Sequence, residues 1–275
     1  MRQRALSAAI FVPPLLLVLA IGEPWFGALI AVFVAVAARE AARLVRGAGY
    51  PAISVLAVAG ALAVAADVAS PEGLRPYADL LVAATLIVAG IAAFVEKDTR
   101  VGFAAWIGTS FTALYVGMLG CLVRLGEIAP SMPSNAPAAQ LGAGRGWILL
   151  VILLVWSFDT GAYAVGIAFG KRKFLAHISP SKSYWGLFGG VAASTAVAVA
   201  GLWALGQPAV LVLVLGPLIG LASQAGDLAE SVLKRAAGAK DSGGLIPGHG
   251  GILDRVDSFI FAAPVAALFI TALVR

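Results

Sequence analysis

Charged residues are scarce in this chain, and their scarcity excludes a soluble globular protein. Only 12% of the residues are Asp, Glu, Lys or Arg, whereas about a quarter of a typical soluble domain is charged. Hydrophobic residues make up 61% of the chain, and its mean hydropathy is +0.97. The sequence therefore predicts an all-α integral membrane protein whose helices pack against one another in lipid.

Cysteine, histidine and common nucleotide-binding motifs are also rare or absent. The single cysteine, Cys121, lies in an apolar run, so no disulfide can form within the chain. No cysteine pair and no histidine-rich spacing is present, which argues against a zinc site. The sequence contains no G-x-x-x-x-G-K-[ST] motif, so a P-loop nucleotidase is not indicated.

Long apolar runs occupy most of the sequence. Each of nine runs has roughly the length that spans a bilayer, which predicts a polytopic protein with about nine transmembrane helices. The first run follows Arg2 and Arg4 and lacks a clear small-x-small cleavage site, so we interpret it as a retained helix. The approximate bounds are 5–22, 26–44, 51–69, 77–95, 102–123, 147–169, 186–206, 208–226 and 258–274.

Lysine and arginine are distributed unevenly between the two sides of the predicted membrane protein. If alternate loops share a side, fifteen of the 19 cations fall on the side of the N-terminus. The opposite side keeps Arg75, Arg124, Arg145 and Arg275. Because cytoplasmic loops carry the excess of Lys and Arg, we predict a cytoplasmic N-terminus in the inner (plasma) membrane of the cell.

One region, which we name the C-terminal polar stretch (Ser231–Ser258), stands out from its apolar surroundings. It holds four cations, six glycines and one of the 2 histidines. That histidine, His249, lies among glycines, which removes a packing reason for its placement and favours a functional role. We expect two helix ends to face each other across this glycine-rich stretch, on the cytoplasmic side.

The helix before the glycines is predicted to carry its polar residues on one stripe. Positions i, i+3, i+4 and i+7 share one face of a helix. The next apolar segment begins with the same spacing at Asp254, Asp257 and Ser258. The first stripe consists of Ser223, Asp227, Glu230, Ser231 and Lys234.

A second polar region lies on the same predicted side, from Phe158 to Gly190. Asp159 sits inside an apolar segment, and an intramembrane carboxylate is by default a functional candidate. Three glycines (Gly161, Gly166 and Gly170) are expected to interrupt the helix and admit water. The cations and hydroxyls of residues 171–183 suit phosphate oxygens, although Lys171–Lys173 alone also fit a topogenic cluster at lipid headgroups.

These residue types together favour metal-assisted chemistry on phosphates. Carboxylates at two helix ends suit Mg²⁺, which takes one or two carboxylates together with phosphate oxygens and water. Two such ions about 4 Å apart can clamp the attacking and leaving oxygens of an in-line phosphoryl or nucleotidyl transfer. The cations that would neutralise phosphate charge are Lys234, Arg235, Lys240 and Arg255.

Structural alternatives remain open for the carboxylates. Asp254 and Asp257 would also suit the N-terminus of the last helix as caps, although capping explains one of them better than both. Asp227 would also suit a structural ion pair with Lys234 or Arg255.

Two patterns carry a resemblance to a known family. The C-terminal polar stretch reads S-x-x-K-R-x-x-x-x-K-D-x-x-x-x-x-P-G-H-G-G-x-x-D-R-x-D from Ser231 to Asp257. The second polar region reads D-T-x-A-Y-x-x-G-x-x-F-G-K from Asp159, followed by S-P-x-K-S from Ser179. Both closely resemble motifs of the phosphatidate cytidylyltransferases (CDP-diacylglycerol synthases). The resemblance covers roughly the C-terminal half, and residues 1–145 match only as apolar helices.

The resemblance implies an enzyme that converts CTP and phosphatidic acid into CDP-diacylglycerol and pyrophosphate, with Mg²⁺ as cofactor. It implies metal binding by Asp227 and Asp254, with two divalent ions and a monovalent cation as an additional candidate, and a homodimer in membrane lipid without nucleic acid. The implied catalytic residues are Asp227, Ser231, Lys234, Asp254, Arg255 and Asp257. The implied substrate-binding residues are Asp159, Lys171, Ser179, Lys182, Ser183, Arg235, Lys240, His249, Gly250 and Gly251.

Two departures from the family pattern affect the expected activity. Trp185 stands where the family usually has Glu, and Ile167 stands where a basic residue often occurs. Either change would weaken contacts to nucleotide or metal.

The sequence thus divides into N-terminal transmembrane helices (1–145) and a C-terminal catalytic region (146–275). Two alternative functions stay open. One is a cytidylyltransferase for another lipid phosphate. The other is an ion-coupled transporter with Asp159 and Asp227 as ion ligands, against which the apolar outer half argues.

Overall fold

The computed structural model describes residues 13–70, 75–244 and 250–274, and this part of the chain is helical. Within those ranges no β-strand forms, and an isolated antiparallel β-bridge joins Lys173 to Ser183. The ten α-helices are α1 (13–21), α2 (Trp25–Gly47), α3 (Ser54–Ala69), α4 (Arg75–Ala93), α5 (Thr99–Gly117), α6 (Cys121–Ile128), α7 (Ala143–Phe169), α8 (Tyr184–Ala204), α9 (Val212–Ala236) and α10 (Leu253–Phe269).

The predicted class, a helical membrane protein, is confirmed. In the described ranges, five helical segments are long and apolar enough to cross a bilayer. They are Thr99–Ile128, Ala143–Phe169, Tyr184–Ala204, Ala209–Ala236 and Leu253–Ala272. The helices Ser54–Ala69 and Asp79–Ala93 are apolar but shorter. The count of nine spans and the side on which the N-terminus lies stay predictions.

The chain divides into two compact units. The first contains Met1–Val123 and Leu233–Val256, and the second contains Arg124–Val232 and Asp257–Arg275. The boundaries therefore fall within α6, α9 and α10. The predicted division after residue 145 was based on where the motifs lie in the sequence, not on which residues form a compact unit. It stays a prediction.

The first unit is built around α3, which packs against α2, α4 and α5. Small residues allow these helices to approach closely. A Cβ atom on Gly117 would lie 2.5 Å from Cβ of Val64, and one on Gly60 would lie 2.9 Å from Cβ of Ala113. Without a hydrophobic driving force in lipid, such close packing is a main source of helix association.

In the second unit, α7 packs along α8 through glycines, and this corrects one prediction. Helix α7 continues through Gly161 and Gly166, so these two glycines do not interrupt it, whereas Gly170 is its C-cap. A Cβ atom on Gly161 would lie 2.5 Å from Cβ of Ala193 and 2.6 Å from the carbonyl oxygen of Gly189. The glycines therefore bring two helix backbones together, which larger side chains would prevent.

The second unit also contains the first part of α9 and most of α10. Ser194 of α8 donates a hydrogen bond to the carbonyl oxygen of Gly216 in α9 (2.9 Å). A Cβ atom on Gly226 would lie 2.5 Å from the carbonyl oxygen of Asp257. Glycines thus allow α9 to pack directly against α8 and α10. Asp227 is the next residue after Gly226, which contacts α10.

Both predicted helical stripes are confirmed. Helix α9 contains the five stripe residues from Ser223 to Lys234, and α10 begins at Leu253, one residue before Asp254. Ser223, Glu230 and Ser231 are buried in α9, and Asp257 and Ser258 are buried in α10.

Candidate active site

In the first unit, Asp254 is the centre of a polar cluster. Lys234 Nζ donates to its Oδ1 (2.7 Å), which joins the end of α9 to the start of α10 as expected for facing helix ends. Its Oδ2 accepts hydrogen bonds from Ser242 N (2.9 Å), Ser242 Oγ (2.7 Å) and Gly251 N (2.8 Å). Four donors therefore orient one carboxylate, which leaves it little rotational freedom.

Glycines make room for this carboxylate. Gly250 has a φ of 77°, a left-handed conformation that glycine adopts without strain. A Cβ atom there would also lie 2.5 Å from Asp254 Oδ2. The close approach of Asp254 therefore accounts for glycine at position 250 of the motif. His249, Gly248 and Pro247 lie outside the described residues, so the proposed role of His249 stays a prediction.

One residue of this cluster, Glu40 of α2, was missed in the sequence. It is 7% exposed, and its Oε2 accepts a hydrogen bond from Leu253 N at 2.8 Å. The sequence did contain a signal for Glu40, because it is a carboxylate near the end of an apolar run. The argument that made Asp159 a functional candidate applies equally to it. Its distance along the chain from the motifs, more than 200 residues, concealed the connection.

The other cations of the C-terminal polar stretch lie on the surface of the first unit. Arg235, Lys240 and Arg255 are exposed, and Arg235 donates to the carbonyl oxygen of Ala239 (3.3 Å). Long exposed cations of this kind are accessible to phosphate, and their assignment as substrate contacts stays a prediction.

In the second unit, Lys182 forms an ion pair with Asp227 Oδ2. Both side chains are about one-quarter exposed, at 25% and 24%. Gln224 Nε2 donates to the same oxygen at 3.3 Å. The sequence suggested Lys234 or Arg255 as the partner of Asp227 in a structural ion pair. In the structure its partner is Lys182, in the loop before α8.

Further carboxylates of the second unit lie around Asp227. The charges of Asp159 and Asp227 interact with each other and with Lys182. Asp257 interacts with Glu230, Asp227 and Asp159. Asp159 and Asp227 are accessible, whereas Glu230 and Asp257 are buried. The four carboxylates at sequence positions 159, 227, 230 and 257 thus influence one another electrostatically.

The loop Gly170–Ser183, which we name the basic loop, presents cations but uses its last hydroxyl structurally. Lys171 is exposed, and Ser179 Oγ lies 3.4 Å from Ser181 Oγ. Ser183 is 3% exposed, and its Oγ accepts a hydrogen bond from Gly186 N (3.1 Å). Ser183 is therefore the N-cap of α8. Its predicted role as a substrate contact is untested, but the cap already explains the hydroxyl.

The family departures at Trp185 and Ile167 lie on the surface of the second unit. Trp185 is 56% exposed, and its ring contacts Phe169 (6.4 Å between centroids) and Phe188 (6.3 Å). Ile167 is also exposed. An aromatic cluster therefore stands where the family usually carries a carboxylate.

The donor sets around Asp227 and Asp254 fit a hard divalent cation. Both are oxygen ligands, and each already holds a positively charged lysine ammonium. Among the described residues, no three His, Cys, Asp or Glu side chains converge as a complete metal site. Within its own unit, each of these carboxylates would supply one ligand to a cation whose remaining ligands come from phosphate and water.

The chain is similar to known proteins over nearly its whole length. The profile described as "Cytidylyltransferase family" matches residues 2–273. The phosphatidate cytidylyltransferase of Synechocystis sp. is 33% identical over 289 aligned positions, which cover 98% of this chain and 97% of that protein.

Other relatives are more similar over a shorter part. The phosphatidate cytidylyltransferase of Pseudomonas aeruginosa is 40% identical over 56% of this chain and 56% of that protein. The one from Brucella suis is 46% identical over 44% of this chain and 46% of its own length. Both similarities are thus confined to about half of each chain.

Proposed function

This chain belongs to the cytidylyltransferase family, and from that premise we propose that it transfers the cytidylyl group of CTP to phosphatidic acid. The products are CDP-diacylglycerol, an intermediate for phospholipid synthesis, and pyrophosphate. The observation that carries the proposal is the 33% identity to a protein named phosphatidate cytidylyltransferase across 98% of this chain. The two polar clusters support it, because each contains a lysine paired with an aspartate, and such groups suit phosphate oxygens and a divalent cation.

The reaction needs positioning and charge neutralisation more than proton transfer. A phosphate oxygen of the lipid attacks the α-phosphorus of CTP, and the bond from that phosphorus to the α–β bridging oxygen breaks. The electron pair leaves with pyrophosphate. Since the lipid phosphate is already ionised at neutral pH, no general base is required. The chain must therefore hold two anions together and stabilise charge on the leaving group.

Lysines and arginines supply that stabilisation in the proposal. Lys182 and Lys234 each hold an aspartate in the structure, and each ammonium would exchange part of this contact for a phosphate oxygen. Exposed Lys171, Arg235 and Lys240 would add attraction for the incoming anions.

Magnesium is the cofactor that we propose. Asp227 and Asp254 match the metal-binding positions of the family motif, and their donor chemistry fits Mg²⁺. When bound, the ion would neutralise phosphate charge and polarise the phosphorus that is attacked. Two divalent ions, with a monovalent cation as an additional candidate, remain part of the proposal.

The membrane arrangement is also a proposal. Nine spans with a cytoplasmic N-terminus would place both motif regions on the side where CTP is available, in the inner (plasma) membrane. The uneven distribution of Lys and Arg along the sequence supports this orientation. A homodimer in membrane lipid follows from the family resemblance.

A purified-protein assay tests the proposal. Protein in detergent with radiolabelled CTP, phosphatidic acid and Mg²⁺ should form a labelled CDP-lipid, and omission of the lipid should abolish the product. An ether-lipid phosphate offered in place of phosphatidic acid tests the alternative acceptor. Faster turnover of that lipid would change the substrate assignment. No labelled lipid from either acceptor would contradict the proposed enzyme and direct attention to ion transport.

A further inference from the structure

Glu40 is a buried carboxylate that the proposed reaction does not use. It comes from α2, and its Oε2 satisfies the amide of Leu253, the first residue of α10. The first amides of a helix have no partner within the helix, and a negative charge there is favourable. Glu40 therefore stabilises the start of the helix that carries Asp254.

The loop residues before α10 are shaped around this carboxylate. A Cβ atom on Gly251 would lie 2.3 Å from Oε2 and 2.4 Å from Oε1 of Glu40. A Cβ atom on Gly243 would lie 2.3 Å from Oε1. All three distances are shorter than real Cβ contacts, so glycine at these two positions allows the carboxylate to enter the loop.

The same loop residues hold Asp254. Ser242 and Gly251 donate three of the four hydrogen bonds that its carboxylate accepts. Ser242 Oγ also lies 3.3 Å from Glu40 Oε2. The Ser242 hydroxyl has one proton, which it donates to Asp254 in the shorter hydrogen bond of 2.7 Å. Glu40 therefore contacts the Ser242 hydroxyl mainly through van der Waals packing. Arg43, one turn after Glu40, donates to the carbonyl oxygen of Ser242.

We propose that Glu40 is a positioning residue that sets the orientation of Asp254, by clamping the loop at Ser242, Gly243 and Gly251 and the first amide of α10. One part of this inference rests on the proposed function, namely that the orientation of Asp254 affects turnover. The structural contacts of Glu40 do not depend on it. Glu40 is buried and contacts loop backbone, so its loss should slow the reaction without changing how substrates bind.

A double-mutant cycle on thermal stability tests the clamp without any assay of activity. Gly251→Ala should lower Tm in the wild-type background, because the new methyl group meets the Glu40 carboxylate. In the Glu40→Ala background, the same change should lower Tm by less than half as much, because the carboxylate is gone. Equal Tm losses in both backgrounds would overturn the proposed contact.

Glu40→Gln tests the effect on Asp254, and its size and remaining oxygen favour folding. The matched control is Glu96→Gln, which changes an exposed carboxylate of the same unit. Hydrogen exchange at Leu253 N–H should accelerate about tenfold in Glu40→Gln, because a neutral hydrogen bond replaces a stronger charge-assisted one. In the same variant kcat should fall about tenfold, while KM for CTP and phosphatidic acid stays within about twofold.

The outcomes separate the two claims. Unchanged exchange at Leu253, or a folded Glu40→Gln variant with wild-type kcat, would overturn the positioning role. If wild-type protein makes no CDP-lipid, the proposed function fails, while the exchange rates and the Tm cycle still decide whether Glu40 holds this loop.

Discussion

Lys182→Met removes the cation that pairs with Asp227 and so tests the second polar cluster. The Lys182 ammonium forms an ion pair with Asp227 Oδ2, and both side chains are about one-quarter exposed. A charge-assisted hydrogen bond contributes about 1.5–3 kcal/mol, or roughly ten- to a hundredfold in binding. Substrate binding would exchange the hydrogen bond to Asp227 for one to phosphate, so we expect an effect at the lower end of this range. The KM for the substrate that Lys182 contacts should rise about tenfold.

The same variant should change the dependence on Mg²⁺. Sequence patterns alone predict that the basic loop binds phosphate with little influence on metal. The ion pair instead makes Lys182 a competitor for the carboxylate, so its removal should lower the Mg²⁺ concentration for half-maximal rate by a few-fold. Separate titrations of CTP, phosphatidic acid and Mg²⁺ measure each quantity.

Lys173→Met is the matched control for this prediction. Lys173 lies in the same loop and is exposed, and its Nζ donates a long hydrogen bond of 3.4 Å to the carbonyl oxygen of Ser181. Its loss should leave the KM values and the Mg²⁺ midpoint within about twofold of wild type. If Lys182→Met behaves like Lys173→Met, the reasoning that links Lys182 to the site is refuted.

Three further predictions concern individual residues. Asp254→Asn should reduce turnover at least a hundredfold while the protein stays folded in detergent, because the amide cannot replace the charge offered to metal; kcat and Tm measure the two effects. Trp185→Glu should raise activity or lower the Mg²⁺ requirement. It should lose only about 1–2 kcal/mol of stability, since the exposed ring gives up two aromatic contacts. Ser183→Ala should lower stability by about 0.5–2 kcal/mol through loss of the α8 cap, with KM nearly unchanged.

Each of these predictions has a contradicting result. Wild-type turnover in Asp254→Asn would remove Asp254 from the metal assignment. Unfolding of Trp185→Glu would mean that the indole is required for helix packing. A tenfold rise in KM for Ser183→Ala, with unchanged Tm, would return Ser183 to the substrate-binding residues.

Local periodicity was sufficient to predict the helical parts of the site. The spacing of Asp227, Glu230, Ser231 and Lys234 placed them on one face of one helix, which α9 confirms. The spacing of Asp254 and Asp257 likewise predicted the beginning of α10. These inferences succeed because a helix relates residues three and four positions apart whatever surrounds it.

Contacts between distant segments could not be predicted in this way. The pairing of Lys182 with Asp227 and the contact of Glu40 with Leu253 depend on how helices pack, which one sequence does not encode at a fixed spacing. Gly161 was misread for a related reason. Glycine lowers helix propensity, but in lipid its small size at a helix interface has the larger effect.

The position of label in the products tests the central claim, cytidylyl transfer to a lipid phosphate, most directly. Purified protein should be incubated with phosphatidic acid, Mg²⁺ and CTP labelled with ³²P at either the α or the γ position. Cytidylyl transfer predicts that α-label appears in the lipid product and that γ-label appears only in pyrophosphate. Gamma-label in the lipid would mean phosphoryl transfer instead, and no label in lipid from either CTP would contradict the account.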